Sequence, residues 1–361
     1  MNNTDLKHLI QKQKSNFSLD QEFYINQHIF DLDIKNIFSK QWVFVGHVSR
    51  IPNYGDYFLF NIGKESIIII RDKDSSVHAH YNVCRHRGSH ICLENEGNTK
   101  ALICPYHAWT YNLDGSLRGA RLMEKGFDKN QWHLHECNVK IFEGLIFINL
   151  SEKPNSFEEF ISPTKKFIEF HGLADAKIAH RQYYPTHGNW KLTLDNFHEC
   201  YHCHPSHPEY CQVHDKEYII AYGAGSNTGP ASEKFDRVLS EWNEKVKKMG
   251  HLTGEYSETE FNDYSRSAER TPLKEGMFTE TKSGKPVSKL MGKFTDYDCG
   301  YTSVGTSPFN SLLMCNDFAT LFTFIPVSPL YTQVELMWLV HKDAEEGKDY
   351  NLDEMKWMWD V

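Results

Sequence analysis

The chain has 361 residues, with 39 Lys and Arg against 48 Asp and Glu, a net charge of −9, and its length suits two domains. No basic arm or stripe interrupts the acidic balance, which argues against a nucleic-acid partner. The longest aliphatic run, Ile67 to Ile70, is far too short to span a bilayer, and Met1-Asn2-Asn3-Thr4-Asp5 lacks the cationic and apolar regions of a signal peptide. A soluble, cytoplasmic protein is expected.

Asp31 to Lys40 reads as a short helix with Leu32, Ile34, Ile37 and Phe38 on one side, closing a lead-in of residues 1–40. Strand signals then follow quickly at Trp42 to Val48, Asp56 to Asn61, Ser66 to Arg71 and Val77 to Tyr81, separated by Gly, Asp and Ser turns. Trp109 to Leu113 is closed by the hairpin signal Asp114-Gly115, and Lys140 to Leu150 adds one more strand. Residues 41–152 therefore read as an antiparallel β domain, bounded by the polar, Pro-broken Glu152-Lys153-Pro154-Asn155-Ser156.

Residues 153–361 read as a second domain. Pro163 to His171 is expected to be helical, His180 to Thr186 a strand, and Trp190 to Cys203 a helix stopped by Pro205. Ala231 to Met249 carries Phe235, Val238, Leu239, Trp242 and Val246 at helical spacing, and its apolar stripe suits core packing. Gly250 to Gly300 is polar and Gly-rich and reads as a long excursion or lid. Leu312 to Pro326 and Thr332 to His341 look like a hairpin of a central antiparallel sheet, and a helix begins before Val361. The fold class is α+β.

Two Cys/His pairs mark the first domain. Cys84 and His86 are one residue apart, seventeen residues follow, and Cys104 and His107 are two residues apart, with Gly88 and Pro105 placed where tight loops need them. Two thiolates and two imidazoles on two short loops are the ligand set of a Rieske [2Fe–2S] cluster. A structural zinc site is the alternative, but a Cys2His2 finger pairs Cys with Cys and His with His along the chain. Here each loop offers one of each, which suits a two-iron cluster. Cys92, Cys137, Cys211, Cys299 and Cys315 read as ordinary buried thiols.

The second dense stretch runs from His187 to Pro208. Glu199 and His202 are three apart, hence on one helix face, and His207 lies just past Pro205 where the chain can turn back. Two His with a distant carboxylate would form the facial triad of a non-haem Fe(II) oxygenase. A zinc-binding tract or a surface run of His198, His202, His204 and His207 is the plainer alternative.

With both stretches in this order, the chain resembles the Rieske non-haem iron oxygenase α subunits over essentially its whole length. The resemblance implies an N-terminal all-β Rieske domain ahead of a helix-grip-like catalytic domain, a [2Fe–2S] cluster on Cys84, His86, Cys104 and His107, and a mononuclear Fe(II) on His202 and His207. It implies that Glu199 bridges His107 and His202 across a subunit boundary, within a head-to-tail homotrimer. It implies a third iron ligand at an Asp about one hundred or more residues on, for which Asp317 fits best because it opens an apolar strand where a lone acid needs a partner. Asp296 and Asp298 are the competitors, in a polar loop where solvated charge is the plainer reading. Asn189 and Trp190 match the family motif and are taken as structural, Trp109, Tyr106 and Tyr111 as cover over the cluster, and Arg85 and Arg87 as docking or surface charges.

The same resemblance implies O2 as co-substrate and electrons from NAD(P)H through a separate flavin- or ferredoxin-type reductase, since this chain has no Gly-rich dinucleotide fingerprint. Glu199 followed by Cys200-Tyr201-His202-Cys203 and His207-Pro208 is most similar to the branch acting on quaternary ammonium compounds. Hydroxylation of an N-methyl group, as in glycine betaine, is therefore expected, with Tyr201, Tyr210, Phe318, Phe322 and Phe324 as candidates for an aromatic cage. Aromatic ring hydroxylation is the alternative, and a non-catalytic Rieske carrier the alternative of another class. Family members continue with a C-terminal helix, so a C-terminally truncated chain is expected.

Overall fold

The computed structural model describes residues 3–198, 202–215, 230–257, 266–307 and 309–360. It divides into two compact units, residues 28–155 and residues 156–360 joined by the N-terminal 3–27. The expected lead-in of residues 1–40 is thus shared between the two units: helices α1 (Asn3–Lys12) and α2 (Glu22–Ile25) belong with the second, and nearly all of α3 (Gln27–Asn36) with the first.

The first unit is antiparallel β throughout. Strands β2 (Asp56–Ile62), β3 (Glu65–Arg71), β4 (Val77–Tyr81) and β5 (Glu96–Asn98) form a sheet in the order 4-3-2-5. Strands β6 (Leu102–Ile103), β7 (Thr110–Tyr111) and β8 (Leu117–Gly119) form a small meander. Strand β1 (Val43–His47) pairs with β10 (Leu145–Asn149), which pairs with β9 (Asn138–Phe142). The single strand expected over Lys140 to Leu150 is therefore a hairpin. Glu143 and Gly144, at φ +48 and +77, make the tight turn, and a Glu in left-handed backbone is a weak sequence signal beside the Gly that carries it. The run Ile67 to Ile70 is wholly buried, so β3 is the spine of this unit.

The second unit is built on one seven-stranded antiparallel sheet. Its order is β11 (Ala176–Thr186), β17 (Tyr331–His341), β16 (Phe318–Ser328), β15 (Asn310–Met314), β14 (Gly300–Gly305), β13 (Ser267–Pro272) and β12 (Glu255–Ser257). The run Leu312 to Pro326 is two strands rather than one, broken by the turn at Cys315-Asn316-Asp317, where Cys315 N–H donates to Phe318 O at 2.9 Å. Part of the excursion expected from Gly250 to Gly300 is sheet, namely β12 and β13. The polar Ser267-Ala268-Glu269-Arg270-Thr271 hid it, because only Ser267 and Glu269 reach solvent while the polar Arg270 and Thr271 are buried with Ala268.

Helices α4 (Phe157–Ile161) and α5 (Lys165–His171) precede β11, and α6 (Trp190–His198) follows it and packs against β16 and β17. Then come α7 (Cys203–Ser206), α8 (Pro208–Val213), α9 (Pro230–Lys248) against β13, and α10 (Leu352–Lys356). Pro205 does not stop a helix; it sits in the first turn of α7, where a missing N–H costs nothing, and Pro208 opens α8 in the same way. Phe318, Phe322, Phe324, Leu336, Trp338 and Val340 form the core of the sheet face. Gly172 and Gly292 let α5 and the 273–299 segment touch backbone to backbone, since a Cβ on Gly172 would stand 2.5 Å from Gly292 Cα. Among the described residues, no helix is long and apolar enough to cross a membrane.

Candidate metal centres

The two Cys/His loops close by the same backbone pattern. Gly88 N–H donates to Cys84 O (2.9 Å) and Cys84 N–H to Ser89 O (2.8 Å); Ala108 N–H donates to Cys104 O (3.0 Å) and Cys104 N–H to Trp109 O (2.8 Å). The residue four beyond each Cys is left-handed, Gly88 at φ +75 and Ala108 at φ +57. Gly88 announces this in the sequence; Ala108 does not. The repeat gives the two loops matching frames, each presenting one thiol and one imidazole.

The side chains meet in two pairs. His86 Nδ1 and His107 Nδ1 lie 3.2 Å apart with their rings edge to face, and the buried Cys84 thiol is pushed up by burial and, further, by the neighbouring Cys104. Two imidazole nitrogens on one metal, each about 2.1 Å from it, are roughly 3.0–3.4 Å apart at angles between right and tetrahedral. The donor set therefore fits a two-iron cluster with an imidazole pair at one end and a thiolate pair at the other. A single tetrahedral zinc would instead draw all four onto one point.

Around these loops Tyr111 Oη lies 3.4 Å from Cys84 Sγ and accepts from Arg85 N–H at 3.1 Å. Burial pushes the Tyr111 phenol well up, so it stays a donor. Trp109 is buried and stacks on His86 at 5.0 Å. Tyr106 departs from the expected cover: it is 61 % exposed and lies over His107, itself at the surface. Arg85 is turned to His135, with Nη1 2.8 Å from Nε2. Cys92, Cys137 and Cys315 are buried as expected, and burial pushes Cys92 and Cys137 up to about 12; Cys211 and Cys299, also expected to be buried, are only half-buried.

In the second unit, His202 and His207 come together, ring centroids 5.1 Å apart and edge to face. His202 caps α7 and His207 links α7 to α8. Asn196 on α6, which the sequence reading passed over, brings Nδ2 to 3.4 Å from His202 Nε2. Glu199, Cys200 and Tyr201 lie outside the described residues. Two converging imidazoles fit the imidazole edge of a facial triad.

Asp317 is not grouped with them. It is fully buried, and both its oxygens are engaged: Oδ1 accepts from Thr279 Oγ1 (2.6 Å), and Oδ2 from Val287 N–H (2.9 Å), Ser288 N–H (3.2 Å) and the Tyr297 hydroxyl (3.3 Å). Burial pushes its carboxyl up while these donors pull it down. Asp298 is likewise no solvated surface charge. It is buried against Arg270 Nη2 (3.0 Å), His251 Nδ1 (2.9 Å) and Asn316 Nδ2 (3.0 Å). Asp296 is exposed and accepts from Tyr297 N–H. Phe318, Phe322 and Phe324 are core residues, with Phe197 packed on Phe322 and Phe324 at 5.0 and 5.1 Å. Asn189 is structural as expected, its Nδ2 donating to Tyr24 O and Pro329 O.

Residues 41–142 match the Rieske [2Fe-2S] domain, and residues 173–361 match the catalytic domain of the ring hydroxylating alpha subunit. The chain belongs to the Rieske oxygenase α-subunit family. This oxygenase is 35 % identical over 359 residues to the glycine betaine monooxygenase oxygenase subunit of Pseudomonas aeruginosa, covering 98 % of this chain and 80 % of that one. It is 38 % identical over 197 residues to the carnitine monooxygenase oxygenase subunit of Escherichia coli, 53 % of this chain and 52 % of that one. Its fold superposes with a TM-score of 0.68 and 25 % identity on a quaternary ammonium Rieske monooxygenase, covering 94 % of this chain and 80 % of the other. The oxygenase thus carries a Rieske cluster and a mononuclear iron and uses O2 with electrons from a partner reductase, which sets the bare-carrier alternative aside.

Proposed function

We propose that this oxygenase hydroxylates an N-methyl carbon of a small quaternary ammonium compound, glycine betaine first. The single observation carrying this is the near-full-length similarity to the glycine betaine monooxygenase oxygenase subunit. The reaction balances as R–N(CH3)3+ plus O2, two electrons and two protons giving a hydroxymethyl ammonium and water; the former then releases formaldehyde, a proton and the tertiary amine.

In this reading Cys84, His86, Cys104 and His107 hold the [2Fe–2S] cluster, and His202 and His207 supply the imidazoles of the mononuclear site. When bound, these centres supply one-electron transfer and activation of O2. The chain's own residues do the rest. Tyr111 donates toward the Cys84 sulfur, Trp109 keeps water from behind His86, and Glu199 accepts hydrogen bonds from His202 and from the His107 ring of a neighbouring subunit, fixing both. That bridge requires a head-to-tail trimer, the heterologous ring that closes by rotation. NAD(P)H delivers the electrons through the reductase, in the cytoplasm. Asp317, with its oxygens turned to four donors, serves as a clamp rather than as the third ligand.

A substrate screen tests the proposal. The purified protein with a surrogate NAD(P)H-dependent reductase is given glycine betaine, carnitine, choline and naphthalene, and formaldehyde and hydroxylated products are measured. Formaldehyde equal to the betaine consumed is expected; ring-hydroxylated product with no formaldehyde overturns it.

A further inference from the structure

The stretch that holds His202 and His207 has a continuous internal hydrogen-bond ladder. Ser206 N–H donates to His202 O (3.0 Å), His207 N–H to Cys203 O (2.9 Å), Cys211 N–H to His207 O (3.2 Å) and His214 N–H to Tyr210 O (2.9 Å). From His202 to His214 the backbone is thus one lever, kinked at His207 but closed by i to i+4 bonds on both sides of the kink. The rings of interest are at one end. His214 is at the other.

His214 is buried and tightly engaged. Its Nε2 lies 2.7 Å from Glu280 Oε1, with side-chain exposures of 2 % and 1 %. Its ring stacks on Tyr210 at 4.0 Å and meets Tyr301 edge-on at 4.8 Å. Glu280 Oε2 is buried and has no hydrogen-bond partner, so His214 carries the carboxylate's main compensation. Two further bonds join the same end of the lever to the same segment, Lys274 N–H to Val213 O (2.8 Å) and Gln212 Nε2 to Lys282 O (2.7 Å). That segment is in turn held to the start of β16, because Thr279, next to Glu280, donates to Asp317.

We propose that the buried His214–Glu280 pair is the positioning device of the mononuclear site: it locks the far end of the 202–214 lever so that the His202 and His207 rings converge. A buried polar pair is costly to assemble and a poor choice for stability alone. Its directional, two-sided geometry does what an apolar contact cannot, fixing both the rotation and the rise of a short helix. Asp317 acts at the next remove, holding the strap that carries Glu280. The inference rests on the proposed assignment of His202 and His207 as iron ligands.

The test uses full-length protein freed of mononuclear iron but retaining its cluster. Fe(II) affinity is titrated, the nitric oxide adduct is examined by EPR, and the Rieske absorbance serves as internal control. Glu280→Ala is expected to weaken Fe(II) binding at least tenfold and to broaden the EPR signal, with the cluster spectrum unchanged. Glu280→Gln, which can still accept from the imidazole, should recover binding to within about threefold of the parent. If Glu280→Ala fails to fold, His214→Gln answers the question, because it keeps a donor to Glu280 but loses the stack on Tyr210; a threefold to tenfold weakening is expected. Ile168→Ala, a cavity in α5, gives the comparison for lost stability alone. Unchanged affinity in Glu280→Ala and His214→Gln overturns the proposal, as does equal weakening in Ile168→Ala. His202→Ala separates the two readings: parental Fe(II) binding there would refute the ligand assignment itself.

Discussion

His86 Nδ1 and His107 Nδ1 face each other at 3.2 Å from two loops with the same backbone closure. The cluster's environment is therefore set by what touches one loop and not the other. Tyr111 is such a contact: it reaches Cys84 Sγ. A donor to a cluster sulfur favours the more negative, reduced state. Tyr111→Phe should lower the reduction potential by about 40–60 mV, the one-electron equivalent of a hydrogen bond worth about 1–1.4 kcal/mol. Protein-film voltammetry on the purified oxygenase measures this directly.

Gly88 and Ala108 hold corresponding left-handed positions, and no atom lies within 4 Å of a Cβ placed on Gly88. Only backbone strain opposes a side chain there. Gly88→Ala should fold, keep the Rieske absorption and lose about 1 kcal/mol of stability, as expected for Ala in left-handed backbone. Chemical denaturation followed at the cluster absorbance checks it.

Asp317→Asn replaces a buried acceptor of four donors with an amide that must turn its own N–H2 toward one of them. A loss of about 2–4 kcal/mol is expected from the mismatched buried groups. The protein should nevertheless retain one mononuclear iron per chain on top of the cluster. Iron analysis showing two rather than three irons per chain would restore Asp317 to the ligand set.

Acid should loosen the fold through two neutral histidines. Burial, then Arg270, holds His171 well below the usual imidazole value, and burial holds His80 below it against the pull of the Leu113 carbonyl. Each takes up a proton near pH 6.5 when unfolded but resists it when folded. Their stabilising contribution is complete above about pH 6.5 and is lost as pH falls below it toward the folded value, by up to about 1.4 kcal/mol per pH unit for each group. Urea midpoints should drop between pH 7.5 and 5.5, and His171→Gln, retaining a partner for Thr302, should flatten that dependence.

Much of this was legible in the sequence because it was local. The Cys/His spacing, the strands from Trp42 to Tyr81 and the amphipathic stripe of α9 each depend on a few neighbouring residues, and the structure places these strands and this helix within a residue or two. What stayed hidden was long-range. Nothing near Asp317 in the chain announces Thr279, Val287 or Tyr297 as its partners. Nothing in the sequence sets His214 apart, because its partner Glu280 is sixty-six residues away. The Glu143-Gly144 turn was missed for a different reason: its first left-handed residue is not a glycine.

The contact between Gly172 and Gly292 gives the 273–299 segment a third point of attachment, beyond Lys274 at one end and the Asp317 clamp in the middle; Lys293 N–H completes it on Phe170 O at 2.9 Å. A strand of chain tied down at such intervals has no free arc long enough to swing. The segment therefore behaves as a girdle and not as a gate. The amides of Val287 and Ser288, whose acceptor carboxylate never meets water, should exchange their hydrogens only when the whole unit opens.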